Sequence, residues 1–166
     1  MKPSVCLITY NHGRFITQAL ASALAQKTNF EFEIVIGEDC SADHTRQILV
    51  EYQHRYPNKI RLVLPENNLG ANRNCARILQ AYRGEYIALL EGDDYWTAPT
   101  KLQEQVDFLD SHEECAICSH AVRVFHEDGN EAPRISHASV IRRFRLSKIC
   151  WGLFQSVLLT RHRLNL

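Results

Sequence analysis

The stretch Glu33-Ile34-Val35-Ile36-Gly37-Glu38-Asp39-Cys40-Ser41-Ala42-Asp43 decides how this chain is read. A short apolar run, rich in β-branched residues, passes directly into a crowd of carboxylates. Such a run has the character of a strand. The same design returns at Tyr86-Ile87-Ala88-Leu89-Leu90, followed by Glu91-Gly92-Asp93-Asp94. Carboxylates packed at a strand end repel one another unless a cation sits between them. In an open α/β sheet the carboxyl ends of parallel strands form the ligand crevice. The pattern therefore points to a metal-assisted site for an anionic ligand, most simply a nucleotide diphosphate.

Outward from these two stretches the chain alternates strand and helix. Ser4 to Thr9 is a first strand, broken by Asn11-His12-Gly13. Phe15, Ile16, Ala19, Leu20, Ala23 and Leu24 recur at helical spacing. Phe32 to Gly37 is the second strand, and Ser41 and Asp43 are expected caps for a helix that ends before Pro57. Ile60 to Leu64 is a third strand. After the loop Pro65–Gly70, a helix through Cys75, Ile78, Leu79 and Tyr82 is expected to stop at Gly84. Tyr86 to Leu90 is the fourth strand. Thr97 and Pro99 introduce a helix with Leu102, Val106 and Leu109 inward. Ala116 to Phe125 reads as one long strand, closed by a turn at Glu127–Asn130. Beyond Pro133, Arg142 to Lys148 suggests a short helix and Trp151 to Thr160 a strand. Alternation of this kind predicts a three-layer α/β/α sandwich with a mostly parallel sheet and right-handed crossovers.

The chain of 166 residues is expected to form a single domain with a sizeable core. Formal net charge is zero, but it is unevenly spread. Residues 1–131 hold 12 Lys+Arg against 19 Asp+Glu, a balance of −7, and residues 132–166 hold 7 Lys+Arg and no acid. The basic segment, Arg142 to Arg163, is suited to peripheral contact with a membrane surface, to docking on the acidic half, or simply to solvation. The six cysteines lack the spacing of a disulfide framework or a closed zinc site, and they fit a reducing cytoplasm. No secretory leader is evident, and no apolar stretch is long enough to span a bilayer. The expected location is cytoplasmic, with the inner membrane face as an option. No nucleic-acid partner is expected.

Four segments in order carry a family resemblance: Ser4–Asn11, Glu38–Thr45, Asn68-x-Gly70 with Arg73-Asn74, and Glu91–Trp96. Together they resemble the inverting GT-A-fold glycosyltransferases of family two, in the Glu-Gly-Asp-Asp-Tyr-Trp form of bacterial surface-polysaccharide enzymes. The resemblance covers roughly residues 3–110, the donor-binding half, and leaves 111–166 as a partial acceptor half. It implies a nucleotide diphosphate sugar as donor, a UDP-sugar first, and a saccharide or lipid-linked acceptor.

The resemblance places Thr9, Tyr10 and Asn11 beside the nucleotide base and Asp39 on the base or ribose. An ionised carboxylate suits that task as a pure acceptor. Arg73, permanently charged, is placed near the diphosphate or ribose. Asp93 and Asp94 are the expected ligands of Mn²⁺ or Mg²⁺, hard cations that share carboxylates with substrate phosphates. The alternative for the pair is an acidic turn capping the next helix. Glu38 and Glu91 stand where the family has aspartates. Tyr95 and Trp96 fit either a sugar wall or the core.

Inverting transfer also needs a base for the acceptor hydroxyl. By resemblance that base is acidic and follows the strand similar to Trp151–Arg161, yet no Asp or Glu follows Glu131. The catalytic residue is therefore not identified, with His120 and His137 as substitutes to consider. The chain is expected to be truncated on the acceptor side and to bind a donor better than it turns one over. Competing readings are a non-catalytic nucleotide-sugar-binding fragment and, at greater distance, a nucleotidyltransferase. The latter wants a glycine-rich basic loop, which Asn11-His12-Gly13-Arg14 does not supply.

Overall fold

The computed structural model describes residues 1–125, 131–136, 140–142 and 159–161. Its element order is β1 (Pro3–Thr9), α1 (Ile16–Leu24), β2 (Glu33–Glu38), α2 (Thr45–Arg55), β3 (Ile60–Val63), α3 (Ala71–Ala81), β4 (Tyr86–Glu91), α4 (Lys101–Ser111), β5 (Cys115–Cys118), β6 (Val122–Phe125), β7 (Glu131–Ser136), β8 (Val140–Arg142) and β9 (Leu159–Arg161). The main sheet runs β3-β2-β1-β4-β9-β5-β8. Its first four strands are parallel, and the remaining neighbours pair antiparallel. Strands β6 and β7 form a separate antiparallel ribbon.

Strand alternation divides the core between two faces. On one face Val5, Leu7, Ile34, Ile36, Ala88 and Leu90 pack with Ile16, Ala19 and Leu20 of α1, Leu49 of α2 and Leu102, Val106 and Leu109 of α4. On the other, Cys6, Val35 and Ile87 pack against Ile78 of α3. Helices thus cover both sides, giving the three layers. Each fully buried Leu or Ile here contributes about 1.5–3 kcal/mol.

Register fixes the site. Thr9 lies level with Glu38 across β1 and β2, and Ile8 lies level with Glu91 across β1 and β4. Both acidic clusters therefore emerge at the same edge of the sheet, one on each side of Tyr10–Gly13.

Four local expectations change. The long strand Ala116–Phe125 is broken at Ser119–Ala121, and its halves join different sheets. Gln105 of α4 donates its amide to the Cys118 carbonyl at 3.3 Å, taking an acceptor that a continuing strand would offer to a neighbour. Helix α3 ends at Ala81 rather than running to Gly84, because Arg61 takes the Ala81 carbonyl while Ser4 and Glu33 take the Arg83 amide. Helix α2 begins at Thr45, and His44 at its cap makes no side-chain capping bond. Ser41 instead accepts the Asn11 N–H, whereas Asp43 accepts the Thr45 amide as a cap would. Arg142 closes β8 instead of opening a helix. The rest of Arg142–Lys148, the strand start at Trp151, the turn 127–130, His137 and most of the basic segment lie outside the described residues.

Candidate donor and metal site

The site is built on two loops that hold each other. Asn11 takes the left-handed region at φ 55°, a conformation that Asn tolerates better than most residues. Its N–H donates to Ser41 Oγ at 2.9 Å, and its Oδ1 accepts the Ala42 N–H at 2.8 Å. Gly13 N–H donates to Asp43 Oδ2 at 2.9 Å. The loop after β1 is thereby stitched to the loop after β2. Tyr10, in the first of these loops, is 44% exposed.

The first acidic cluster is consumed by the protein. Glu38 is fully buried, and its carboxylate accepts from Ser41 N–H and Arg46 Nε. Asp39 is 2% exposed, and its two oxygens accept the N–H groups of Leu69 at 2.9 Å and Gly70 at 2.8 Å. Asn68 Nδ2 donates to the Asp39 carbonyl at 3.0 Å. Asp39 thus clasps the loop that opens α3, and Gly70 at φ 80° supplies the turn. Arg73 follows in the first turn of α3 and is exposed. The neighbouring Asn74 is buried and donates to the Gly37 carbonyl at 2.7 Å. A Cβ at Gly37 would lie 2.6 Å from Asn74 Oδ1, so this docking requires glycine.

The second cluster is different. The Gly92 N–H continues the ladder to the Ile8 carbonyl at 2.9 Å, and the Asp94 N–H closes a turn on the Glu91 carbonyl at 3.1 Å. A Cβ at position 92 would lie 2.4 Å from Thr9 Oγ1 and 2.7 Å from His12 Nδ1. Only glycine lets this turn approach β1. Glu91 is raised to about 7 by burial and by the charges of Asp94 and Asp93, and Asp94 is raised to about 6 by burial and by Asp93. Asp93 is half exposed, with His12 Nε2 3.9 Å from its Oδ2. Glu91 also borders a small, mainly apolar cavity with Cys6, Ile8, Cys75, Ile78 and Leu89. Among the described residues no ammonium or guanidinium pairs with these three carboxylates. No three His, Cys, Asp or Glu side chains there converge into a metal site by themselves. Asp93 and Asp94 can supply two oxygen ligands, as a cation shared with substrate phosphates requires.

The two aromatics after the turn separate. Trp96 is core: its backbone N–H donates to Ser22 Oγ at 3.1 Å, and the Lys101 ammonium lies 4.0 Å from its ring centroid. Tyr95 is 43% exposed beside the aspartates. His120 sits at the break between β5 and β6 with Nδ1 2.8 Å from the Ala121 carbonyl, and burial lowers its pKa.

Residues 4–161 match the description Glycosyl transferase family 2. The chain belongs to this family. An uncharacterized Mycobacterium tuberculosis protein is 46% identical over 136 residues, covering 80% of this chain and 39% of its own length. The crystal structure of Staphylococcus aureus TarS residues 1–349 with UDP aligns at TM-score 0.65 and 29% identity, covering 81% of this chain and 38% of that one. The mannosyltransferase PcManGT of Pyrobaculum calidifontis, solved with GDP-Man and Mn²⁺, shares the fold at TM-score 0.66 and 21% identity, over 74% of this chain and 36% of that one. The fold is thus the GT-A type, and the chain spans about two-fifths of the relatives' length.

In this family 2 chain the sequence motifs come together at one edge of the sheet, and some contacts made there are signalled by no motif. Asp39 has a clasping task that its motif does not display. Asn74 and His12 carry contacts that no spacing signals. The proximity of Gly92 to both acidic residues was the available hint that the backbone there must come close.

Proposed function

We propose that this chain binds a nucleoside diphosphate sugar, with a UDP-sugar preferred, and that it serves transfer of the sugar to a hydroxyl of a saccharide or lipid-linked acceptor with inversion. Residues 1–110 form the donor half. Thr9, Tyr10 and Asn11 receive the base, with the exposed Tyr10 ring as its platform. Asp39 acts on the base or ribose side, chiefly by fixing the loop that presents Arg73 to the diphosphate. Asp93 and Asp94 hold Mn²⁺ or Mg²⁺. When bound, the cation offsets negative charge on the departing nucleoside diphosphate. The setting fits synthesis of cell-surface polymers; TarS is named as a poly(ribitol-phosphate) β-N-acetylglucosaminyltransferase.

The observation that carries this reading is the Glu91–Asp94 turn. It crowds half-buried carboxylates that resist ionisation and have no cationic side chain beside them among the described residues. Two adjacent aspartates in such a turn are a poor helix cap, and Thr100, not either aspartate, precedes α4. The test is calorimetric titration of UDP, GDP, ADP and CDP with Mn²⁺ and with chelator. UDP binding that needs the metal is expected; equal affinity under both conditions would sink the metal assignment.

A second reading is donor binding without turnover. It concerns residues 1–166 by themselves, of which 132–166 hold no Asp or Glu. General-base catalysis is typically worth about 10²–10⁴-fold, so transfer by the 166-residue chain is then slow. Measured sugar transfer at rates usual for such enzymes would reject this second reading, and His120 would be the first base to mutate.

A further inference from the structure

We infer that His12 is a positioning residue that ties the Thr9 hydroxyl to the Asp93 carboxylate, holding the nucleotide side and the metal side of the site at a fixed offset. The inference rests on the nucleotide-and-metal reading above. His12 Nδ1 lies 3.2 Å from Thr9 Oγ1, and Nε2 of the same ring lies 3.9 Å from Asp93 Oδ2. One imidazole therefore spans the two strand ends. Its ring is mostly buried, while Asp93 is nearly half exposed and makes no other ion pair among the described residues.

The mounting of that ring is rigid. The His12 carbonyl accepts the N–H groups of Phe15 at 2.9 Å and Ile16 at 2.8 Å, so its backbone anchors the turn that leads into α1. Ile16 is fully buried in the core. Gly92 leaves room for the ring to sit against Thr9, since a Cβ there would overlap both groups. Chemistry gives the span its direction. In a neutral imidazole one nitrogen donates and the other accepts. With Nδ1 accepting the Thr9 O–H, Nε2 carries the proton and faces the carboxylate. An exposed aspartate on a turn otherwise samples several rotamers, and fixing one in advance lowers the cost of ordering it on binding.

Calorimetry of UDP with the 166-residue chain tests this, in Mn²⁺ and in EDTA. The proteins are the parent, His12→Ala, His12→Gln, His12→Asn, and His12→Ala combined with Asp93→Asn. A Gln amide reaches the place of Nε2, and an Asn amide that of Nδ1. His12→Ala is expected to weaken binding about three- to tenfold in Mn²⁺, the size of one modest polar contact, and less than about twofold in EDTA. His12→Gln should restore most of the loss and His12→Asn little of it. In the Asp93→Asn background, removing His12 should cost less than about twofold. Equal losses in Mn²⁺ and EDTA, equal losses with Asp or Asn at position 93, or no loss at all would overturn the inference. Should His12→Ala fail to fold, as read by its melting transition, the Gln–Asn contrast decides, and equality of the two overturns it. A parent chain that binds UDP equally with and without Mn²⁺ would instead remove the reading beneath it, and this inference with it.

Discussion

After β2 every carboxylate is answered; after β4, among the described residues, none has an ammonium or guanidinium partner. Glu38 has Arg46 and a backbone amide, Asp39 has two amides, and Asp43 has Gly13 and Thr45. The hydrogen bonds from Thr45 and Gly13 hold Asp43 below the usual carboxylate range, outweighing burial, which acts the other way. Glu91 and Asp94 are pushed the opposite way, by burial first and then by neighbouring aspartates, Asp94 and Asp93 for Glu91 and Asp93 for Asp94. The two clusters look alike in sequence and do different work. The first spends its acceptors on building the loops. The second keeps its charge uncompensated, which is the state that a cation relieves.

The largest effect that tests this contrast is Asp39→Ala. It removes the buried carboxylate that accepts the Leu69 and Gly70 N–H groups and should cost about 1.5–3 kcal/mol of stability, read from chemical denaturation. A loss below about 0.5 kcal/mol would mean that Asp39 is no clasp. Next comes Asp94→Asn. It should weaken UDP binding at least about tenfold in Mn²⁺ and little in chelator, while raising the melting temperature of the metal-free chain near pH 8. Lower melting temperature in that metal-free state would erase the distinction between the clusters.

Acid titration sharpens it further. The folded chain holds the Glu91 and Asp94 protons more tightly than the unfolded chain does. Their contribution is therefore fully present below about pH 4 and is lost as pH rises to about 7. Asp43, held low, contributes stability above about pH 4 that is lost as pH falls. Glu91→Gln should flatten the decline between pH 4 and 7, and Asp43→Asn should leave it in place. The smallest effect is expected from Asp93→Asn. Its half-exposed side chain should alter stability by no more than about 0.5 kcal/mol. It should still reduce Mn²⁺-dependent UDP affinity, though less than Asp94→Asn.

The parallel half of the sheet was legible because its strands are nearly continuous apolar runs, and because Ile16, Ala19, Leu20 and Ala23 repeat at helical spacing and are indeed buried. That the two acidic runs share one edge followed from their place at the ends of two of those strands. What stayed hidden depends on contacts distant in sequence. Gln105 ends β5 by taking a carbonyl 13 residues away. Asn74 docks on Gly37, and Asp39 on Leu69 and Gly70. His12 looked like loop punctuation because nothing local shows that Asp93, far along the chain, comes to face it. Trp96 and Tyr95 could not be told apart until α1 and α4 closed over one of them.

Strand β9 sits between β4 and β5, although some 70 residues separate it from β4 in the chain. A growing polypeptide leaving the ribosome can assemble β3-β2-β1-β4 from its first 91 residues. It must then wait for Leu159–Arg161 before the outer edge of β4 gains its partner. During that interval Tyr86, Ile87 and Ala88 present unpaired backbone on an apolar strand, the kind of edge that recruits another chain. Among the described strands β9 is made last, and it shields the parallel strands made before it from association.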